Sequence, residues 1–212
     1  MRIILFGAPG SGKGTQAQAL AEYYKIKRIC VGDILRQEVN KGSSFGKMVK
    51  SYMEKGLLVP DELILDLIKK NIDNKDFILD GYPRNLSQAA QLEKLFSEKN
   101  IDTYVFVYLY VDRETIINRL SKRLICQDCG ANYHLINMPP KKDKICDICK
   151  GNLIQRKDDT PKVIRKRWEV FLKESKPLLD FYKKKDKFIK IDAKAKKDIV
   201  FSRIIKLLDK CD

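Results

Sequence analysis

A single histidine in 212 residues, His134, leaves no histidine constellation for base catalysis. No apolar run reaches the roughly 18 residues of a membrane helix, so no membrane partner is expected. The N-terminal apolar stretch is short and ends in glycines, whereas a secretory leader needs a longer apolar region and a small-residue cleavage site. A cytoplasmic chain is therefore expected. Acidic residues are also scarce, with 28 Asp and Glu against 43 Lys and Arg, a net charge of +15. That imbalance suits a polyanion, either nucleic acid or a phosphorylated small molecule; the alternative is a lysine-rich solvated surface. Aromatics are 9% of the chain and are not interleaved with the basic residues as in single-strand binders, so no nucleic acid is expected. What the chain does have is 44% hydrophobic and 33% charged residues, a globular composition with room for one α/β domain and a small insertion.

The opening MRIILFGAPGSGKGTQ carries the strongest signal. Ile3 to Phe6 form a continuous apolar run ending at Gly7, as in a parallel strand buried on both faces. Gly7 to Lys13 then fit G-x-x-x-x-G-K, and 15–24 reads as an amphipathic helix with Ala17, Leu20 and Ala21 inward. In the order strand, glycine loop, helix, backbone amides surround a phosphate, the helix dipole favours it, and Lys13 adds a mobile cation. The hydroxyl usually found directly after the lysine is displaced by one: Gly14 comes first, then Thr15.

Further along, FILDGYPRNLSQAAQL begins with another buried run and ends it at Asp80. A carboxylate at that strand end suits Mg²⁺. Gly81, Pro83 and Arg84 make a turn presenting a guanidinium to phosphate oxygens. Ser87 is placed to cap the next helix, and Gln88 offers a donor and an acceptor to a base edge. In ICVGDILRQEV, Asp33 and Arg36 share one helix face, with Gly32 or Asp33 at the helix start. In KGLLVPDEL, a loop leads to a helix expected to be capped by Asp61.

Cys126-x-x-Cys129 and Cys146-x-x-Cys149 are separated by sixteen residues. This spacing reads as a tetrahedral four-cysteine zinc ribbon, with iron as the alternative. All four positions are protein sulfur, so the metal is structural. Gly130 and Gly151 are expected to allow the knuckle turns. Cys30 and Cys211 stand alone, and a disulfide framework would be out of place in a cytosolic chain. Arg119 and Arg123, on or just after a helix expected over 113–124, precede the ribbon; Arg156, Asp158 and Asp159 follow it. Thr160 then caps a long helix with Pro161 at its first position and Val163, Ile164, Trp168, Phe171 and Leu172 as its apolar side. Strands expected at 2–6, 27–30, 77–80, 104–111 and 188–191, alternating with helices, give a doubly wound, five-stranded parallel α/β sheet with ligands at the strands' carboxyl ends.

GAPGSGKGT resembles the phosphate loop of adenylate kinases, and the likeness continues over almost the whole chain, to the long form with a zinc-bearing lid. The resemblance implies a P-loop NTPase-type sheet: core at 1–29, 60–121 and 160–212, a helical AMP-binding insertion at 30–59, and the lid at 122–159. It implies a monomer that moves the terminal phosphoryl of ATP to AMP, giving two ADP, with Mg²⁺. By the same resemblance ATP meets Gly10, Ser11, Gly12, Lys13, Gly14, Thr15, Arg119, Arg123, Asn132, Tyr133 and Ala195. AMP meets Val31, Arg36, Leu57, Leu58, Val59, Gly81, Tyr82, Pro83, Arg84 and Gln88, with Arg156 and Arg167 from the lid and its hinge. Lys13, Arg84, Arg123, Arg156 and Arg167 would stabilise the migrating charge, with Asp33 and Asp80 near the metal. Val31 stands where the family pattern has threonine. CMP, UMP or GMP therefore stay open as acceptors; a zinc-ribbon nucleic-acid binder is the more distant alternative.

Overall fold

The computed structural model describes residues 1–73, 75–156, 159–185 and 187–210. Asp158 and Cys211 lie outside the described residues. Five parallel strands form the main sheet: β1 (Arg2–Gly7), β2 (Lys27–Cys30), β3 (Phe77–Asp80), β4 (Val105–Tyr110) and, late in the chain, β8 (Phe188–Asp192), in the order β2-β3-β1-β4-β8. Alternation along each strand explains its continuous apolar run. Ile4, Phe6, Phe77, Leu79 and Phe106 enter the core on one face of the sheet, and Ile3, Leu5, Ile78, Val105 and Val107 enter the core on the other. With β1 between β3 and β4, the loop after β1 faces the loops after both.

Helices α1 (Lys13–Tyr24), α2 (Val31–Lys41), α3 (Ser44–Lys55), α4 (Asp61–Asn71), α5 (Leu86–Glu98) and α6 (Arg113–Ser121) connect these strands. A second, antiparallel sheet of β5 (Arg123–Cys126), β6 (Asn132–His134) and β7 (Leu153–Ile154) makes a small ribbon in the order β6-β5-β7. The chain then returns through α7 (Pro161–Tyr182), capped by Thr160, and closes with α8 (Lys197–Leu208). Among the described residues no helix is long and apolar enough to cross a membrane.

Several local expectations are corrected. Helix α1 starts at Lys13 rather than 15, because Gly12, at φ 93°, already turns the chain into it. Asp61 is the first residue of α4 rather than its cap; its carboxylate instead accepts from Asn85 and Gln88. Asn85, not Ser87, caps α5, accepting from the Gln88 amide. Helix α6 stops at Ser121, and Arg123 opens strand β5. Gly130 takes a left-handed φ of 73°, as expected, but in the second knuckle Lys150 does so, at 66°. Gly151 instead leaves room for its neighbours: a β-carbon there would lie 2.8 Å from Asp128 Cγ and 3.2 Å from Cys126 Sγ. On α7, Leu172 is exposed while Ile164, Leu178 and Tyr182 are buried.

Candidate active site and metal centre

The loop between β1 and α1 is built to hold an anion. Gly10 and Gly12 both have left-handed φ, at 80° and 93°, and a β-carbon on Gly10 would come within 2.9 Å of Leu120 Cγ. Glycine there lets the backbone curl tightly at the helix N-terminus. The Lys13 ammonium donates to the carbonyls of Gly7 and Ala8, at 2.8 and 2.9 Å. Its enclosure pushes its pKa down to about 7; Asp80 opposes the shift, and Arg84, Arg167 and Arg123 reinforce it. Four cations from four separate chain segments are thus near enough to influence one another. Among them Arg123 and Arg167 are held by Asp159, whose side chain is fully buried: Arg123 pairs through Nε at 2.7 Å and Nη2 at 2.6 Å, and Arg167 through Nη1 at 3.2 Å.

An open cleft runs from Gly7, Pro9 and Lys13 past Arg167 to a wall made by Val31, Arg36, Leu57 to Val59, Gly81 to Arg84 and Gln88. The turn after β3 contains a cis Tyr82–Pro83 bond, and Arg84 Nε donates to the Gly81 carbonyl at 2.8 Å. Gln88 is buried with its amide fixed: Oε1 accepts from the Arg84 amide at 2.8 Å, and Nε2 donates to Asp61 at 2.8 Å. Each of those two atoms keeps one further hydrogen-bonding position. Val31 is buried and presents only methyl groups to the wall.

Arg119 reaches across to the far side of the loop. It donates to the carbonyls of Ala193 and Lys194, both at 2.9 Å, and to those of Ser11 and Ala195 at 3.4 Å. It thus ties the loop after β8 to the phosphate loop. Arg156 donates to Asn132 Oδ1 at 3.1 Å, across the ribbon. The Tyr133 ring packs inside the ribbon, where its hydroxyl accepts from the Asp147 amide at 2.8 Å and contacts Cys146 Sγ. His134 stays out of the metal cluster; its Nδ1 accepts from the Ile136 and Asn137 amides.

Two residues emerge that the sequence reading gave no role. Asp159 is one. Arg28 is the other: its Nη2 lies 2.8 Å from Asp80 and 3.2 Å from Asp33. Burial alone would push the Asp33 carboxyl up, but Arg36 and Arg28 outweigh it and hold it below its usual range. Neither stands out in the sequence, because a charged partner across the fold leaves no local signature.

The four cysteine sulfurs of the ribbon all lie within 4.8 Å of one another, with Cys126–Cys149 at 3.4 Å and Cys129–Cys146 at 3.6 Å. A tetrahedral ion with bonds of about 2.3 Å to sulfur spaces its ligands by about 3.8 Å, so this donor set fits zinc. The ribbon's buried residues are few, Cys126, Tyr133, Cys146 and Leu153, which is too small a core to hold the unit without the ion.

A family model described as adenylate kinase matches residues 5–187. An adenylate kinase of Methanosarcina acetivorans is 44% identical over 99% of both chains. That of Caldanaerobacter subterraneus subsp. tengcongensis is 45% identical over 98% of this chain and 96% of its own. That of Clostridium tetani is 41% identical over 98% of each.

Proposed function

Since the chain belongs to the adenylate kinase family, and so transfers the terminal phosphoryl of ATP to AMP to give two ADP, we propose that the transfer takes place in the cleft between the phosphate loop and the wall carrying Val31, Arg36, Arg84 and Gln88. ATP lies on the amides of Gly10 to Thr15, with its adenine toward Arg119 and Ala195; Asn132 and Tyr133 approach it from the ribbon. AMP lies against Leu57 to Val59 and the Gly81 to Pro83 turn. Its phosphate faces Arg36 and Arg84, and its base edge meets the spare positions of Gln88. The observation that carries this reading is the convergence of Lys13, Arg84, Arg123 and Arg167 beside one glycine loop.

An AMP phosphate oxygen attacks the terminal phosphorus of ATP. The bond from that phosphorus to the bridging oxygen breaks, and ADP leaves with the electron pair. The nucleophile is already anionic, so no general base is required, in keeping with a chain whose one histidine sits in the ribbon. Positioning and charge neutralisation supply the catalysis. Lys13, Arg84, Arg123 and Arg167 stabilise the migrating charge; Arg156 joins them as the ribbon, the lid formed by 122–159, closes and excludes water. The segment 30–59 is the acceptor-binding insertion, and 1–29, 60–121 and 160–212 form the core. Asp33 and Asp80, hard oxygen donors beside the phosphate loop, fit Mg²⁺ arriving with ATP, which neutralises phosphate charge when bound. Zinc on Cys126, Cys129, Cys146 and Cys149 is structural. The site is complete within one chain, which supports a monomer, and thiolate ligands favour the reducing cytoplasm.

Acceptor choice is tested by initial rates with MgATP and AMP, CMP, UMP or GMP. AMP is expected to give the highest kcat/KM. Val31→Thr should raise the AMP value less than about tenfold, since one neutral hydrogen bond contributes about 1 kcal/mol. A higher kcat/KM for CMP, UMP or GMP would overturn the acceptor assignment.

Lys13 also makes binding pH-dependent. Nucleotide phosphates beside it restore its proton affinity, so ATP binding should take up little proton at about pH 6 and nearly one at about pH 8. Calorimetry in two buffers of different ionisation heat measures this, and identical heats at pH 8 would refute it. The sign for folding follows. Between about 7 and the ordinary 10.5, the unfolded chain holds this proton and the folded chain does not. The group's contribution therefore favours the fold more as pH rises through that window.

A further inference from the structure

We infer that Arg28 is a built-in counter-cation for Asp33 and Asp80, and that its charge keeps free divalent metal out of this corner until nucleotide brings it. The inference rests on the reading above that these two carboxylates face MgATP.

The register of β2 on β3 places Arg28 opposite Ile78 and Cys30 opposite Asp80. Arg28 is thus two residues, about 6.6 Å, short of the strand end where the carboxylates lie. Residues 28 and 30 project to the same face of the sheet. Only a long side chain at 28 can reach Asp80, and the guanidinium does so. One nitrogen, Nη2, meets both carboxylates, at 2.8 Å to Asp80 Oδ2 and 3.2 Å to Asp33 Oδ2. The other, Nη1, lies 3.5 Å from Gln18 Oε1 on α1. A β-carbon on Gly14 would be 3.3 Å from Arg28 Nη2 and 3.6 Å from Asp80 Oδ2. The ion pair therefore abuts the first turn of α1, directly behind the phosphate loop.

Arg36 takes the remaining oxygen of Asp33. Three of the four carboxylate oxygens at this corner thus accept from a guanidinium. Two carboxylates against two guanidiniums leave no net negative charge, and Lys13 adds its own influence on Asp80. A lone divalent cation would have to displace a permanently charged group to bind. A cation already on a triphosphate brings its own negative charge and meets no such penalty. Metal and nucleotide therefore enter together. Removing the Arg28 charge would leave Arg36 as the one guanidinium bonded to the two carboxylates and Asp80 without a guanidinium, and free metal could then settle there ahead of ATP.

The test is a Mn²⁺ titration of the full-length, nucleotide-free, zinc-loaded protein, read by loss of the free-ion electron paramagnetic resonance signal. Arg28→Gln is expected to bind Mn²⁺ about tenfold or more tighter than the parent chain. Arg28→Lys, which keeps the charge, should bind as the parent does. Adding Asp80→Asn to Arg28→Gln should abolish the gain. Strand β2 is at the sheet edge, so the fold should tolerate the change; Arg28→Met is the second neutral variant, and a Mg²⁺-dependent rise in melting temperature in either is the second readout. Equal Mn²⁺ affinity in the parent and the neutral variants would overturn the role of Arg28 alone. If Asp80→Asn by itself leaves the Mg²⁺ dependence of turnover unchanged, the carboxylate reading fails and the inference falls with it.

Discussion

Lys13→Ala is expected to lower turnover by about a hundredfold to a thousandfold or more, with the fold intact. Removing one preorganised group that meets developing charge in an enclosed site costs about that much. Lys13 has no substitute in place. Its ammonium is fixed by the Gly7 and Ala8 carbonyls at the mouth of the loop, whereas Arg84 is tied to Gly81, and Arg123 and Arg167 to Asp159. Arg84 approaches from the cleft wall, and Arg123 and Arg167 from the ribbon and α7. Stability should change little, because enclosing the charge disfavours it, and alanine removes that cost along with the two carbonyl bonds. Initial rates with MgATP and AMP, beside a thermal melt, decide the matter. Turnover within about threefold of the parent chain, at an unchanged melting temperature, would remove Lys13 from the chemistry.

Cys146→Ser, or stripping the metal with a chelator, is expected to unfold the ribbon while the main sheet stays folded. Structural zinc in small domains contributes about 10–16 kcal/mol of apparent folding free energy. Among the described residues the ribbon's buried apolar core is Cys126, Tyr133, Cys146 and Leu153, too few to replace that. The two large clusters on the faces of the main sheet share no residue with it. Calorimetry should therefore show an early transition split from the main one, and hydrogen exchange should rise across 122–159. Metal content should fall with it. Turnover should drop as well, since Arg123 begins the ribbon's central strand and Arg156 bonds across to Asn132. An unchanged melt and an unchanged metal content would sink the four-cysteine metal reading.

How much of this was legible beforehand can be followed residue by residue. The apolar runs at 3–6 and 77–79 announced doubly buried strands, because burial on both faces leaves no polar position. The glycine loop was legible because phosphate binding needs glycine, lysine and a helix start in immediate succession. The cysteine knuckles were legible because a tetrahedral ion demands a fixed number of sulfurs at short spacing. Helix caps were read less well. Ser87 and Asp61 had the right chemistry for caps, but Asn85 took one place, and the Asp61 carboxylate turned to Asn85 and Gln88, more than twenty residues away. Helix α6 was read too long because the pairing of Arg123 with His134 is a sheet contact that no local pattern announces.

Sequence by itself therefore determined the parts whose chemistry is contained in a few consecutive residues: the buried strands, the phosphate loop, the metal knuckles and the family they belong to. Tertiary structure alone decided which charges meet. It set Asp159 between Arg123 and Arg167, Arg119 across to the loop after β8, and Arg28 between Asp33 and Asp80. The physical reason is that a strand or a tight turn is chosen by short-range sterics and burial, whereas a long, flexible guanidinium takes whatever carboxylate the order of the sheet brings within its reach.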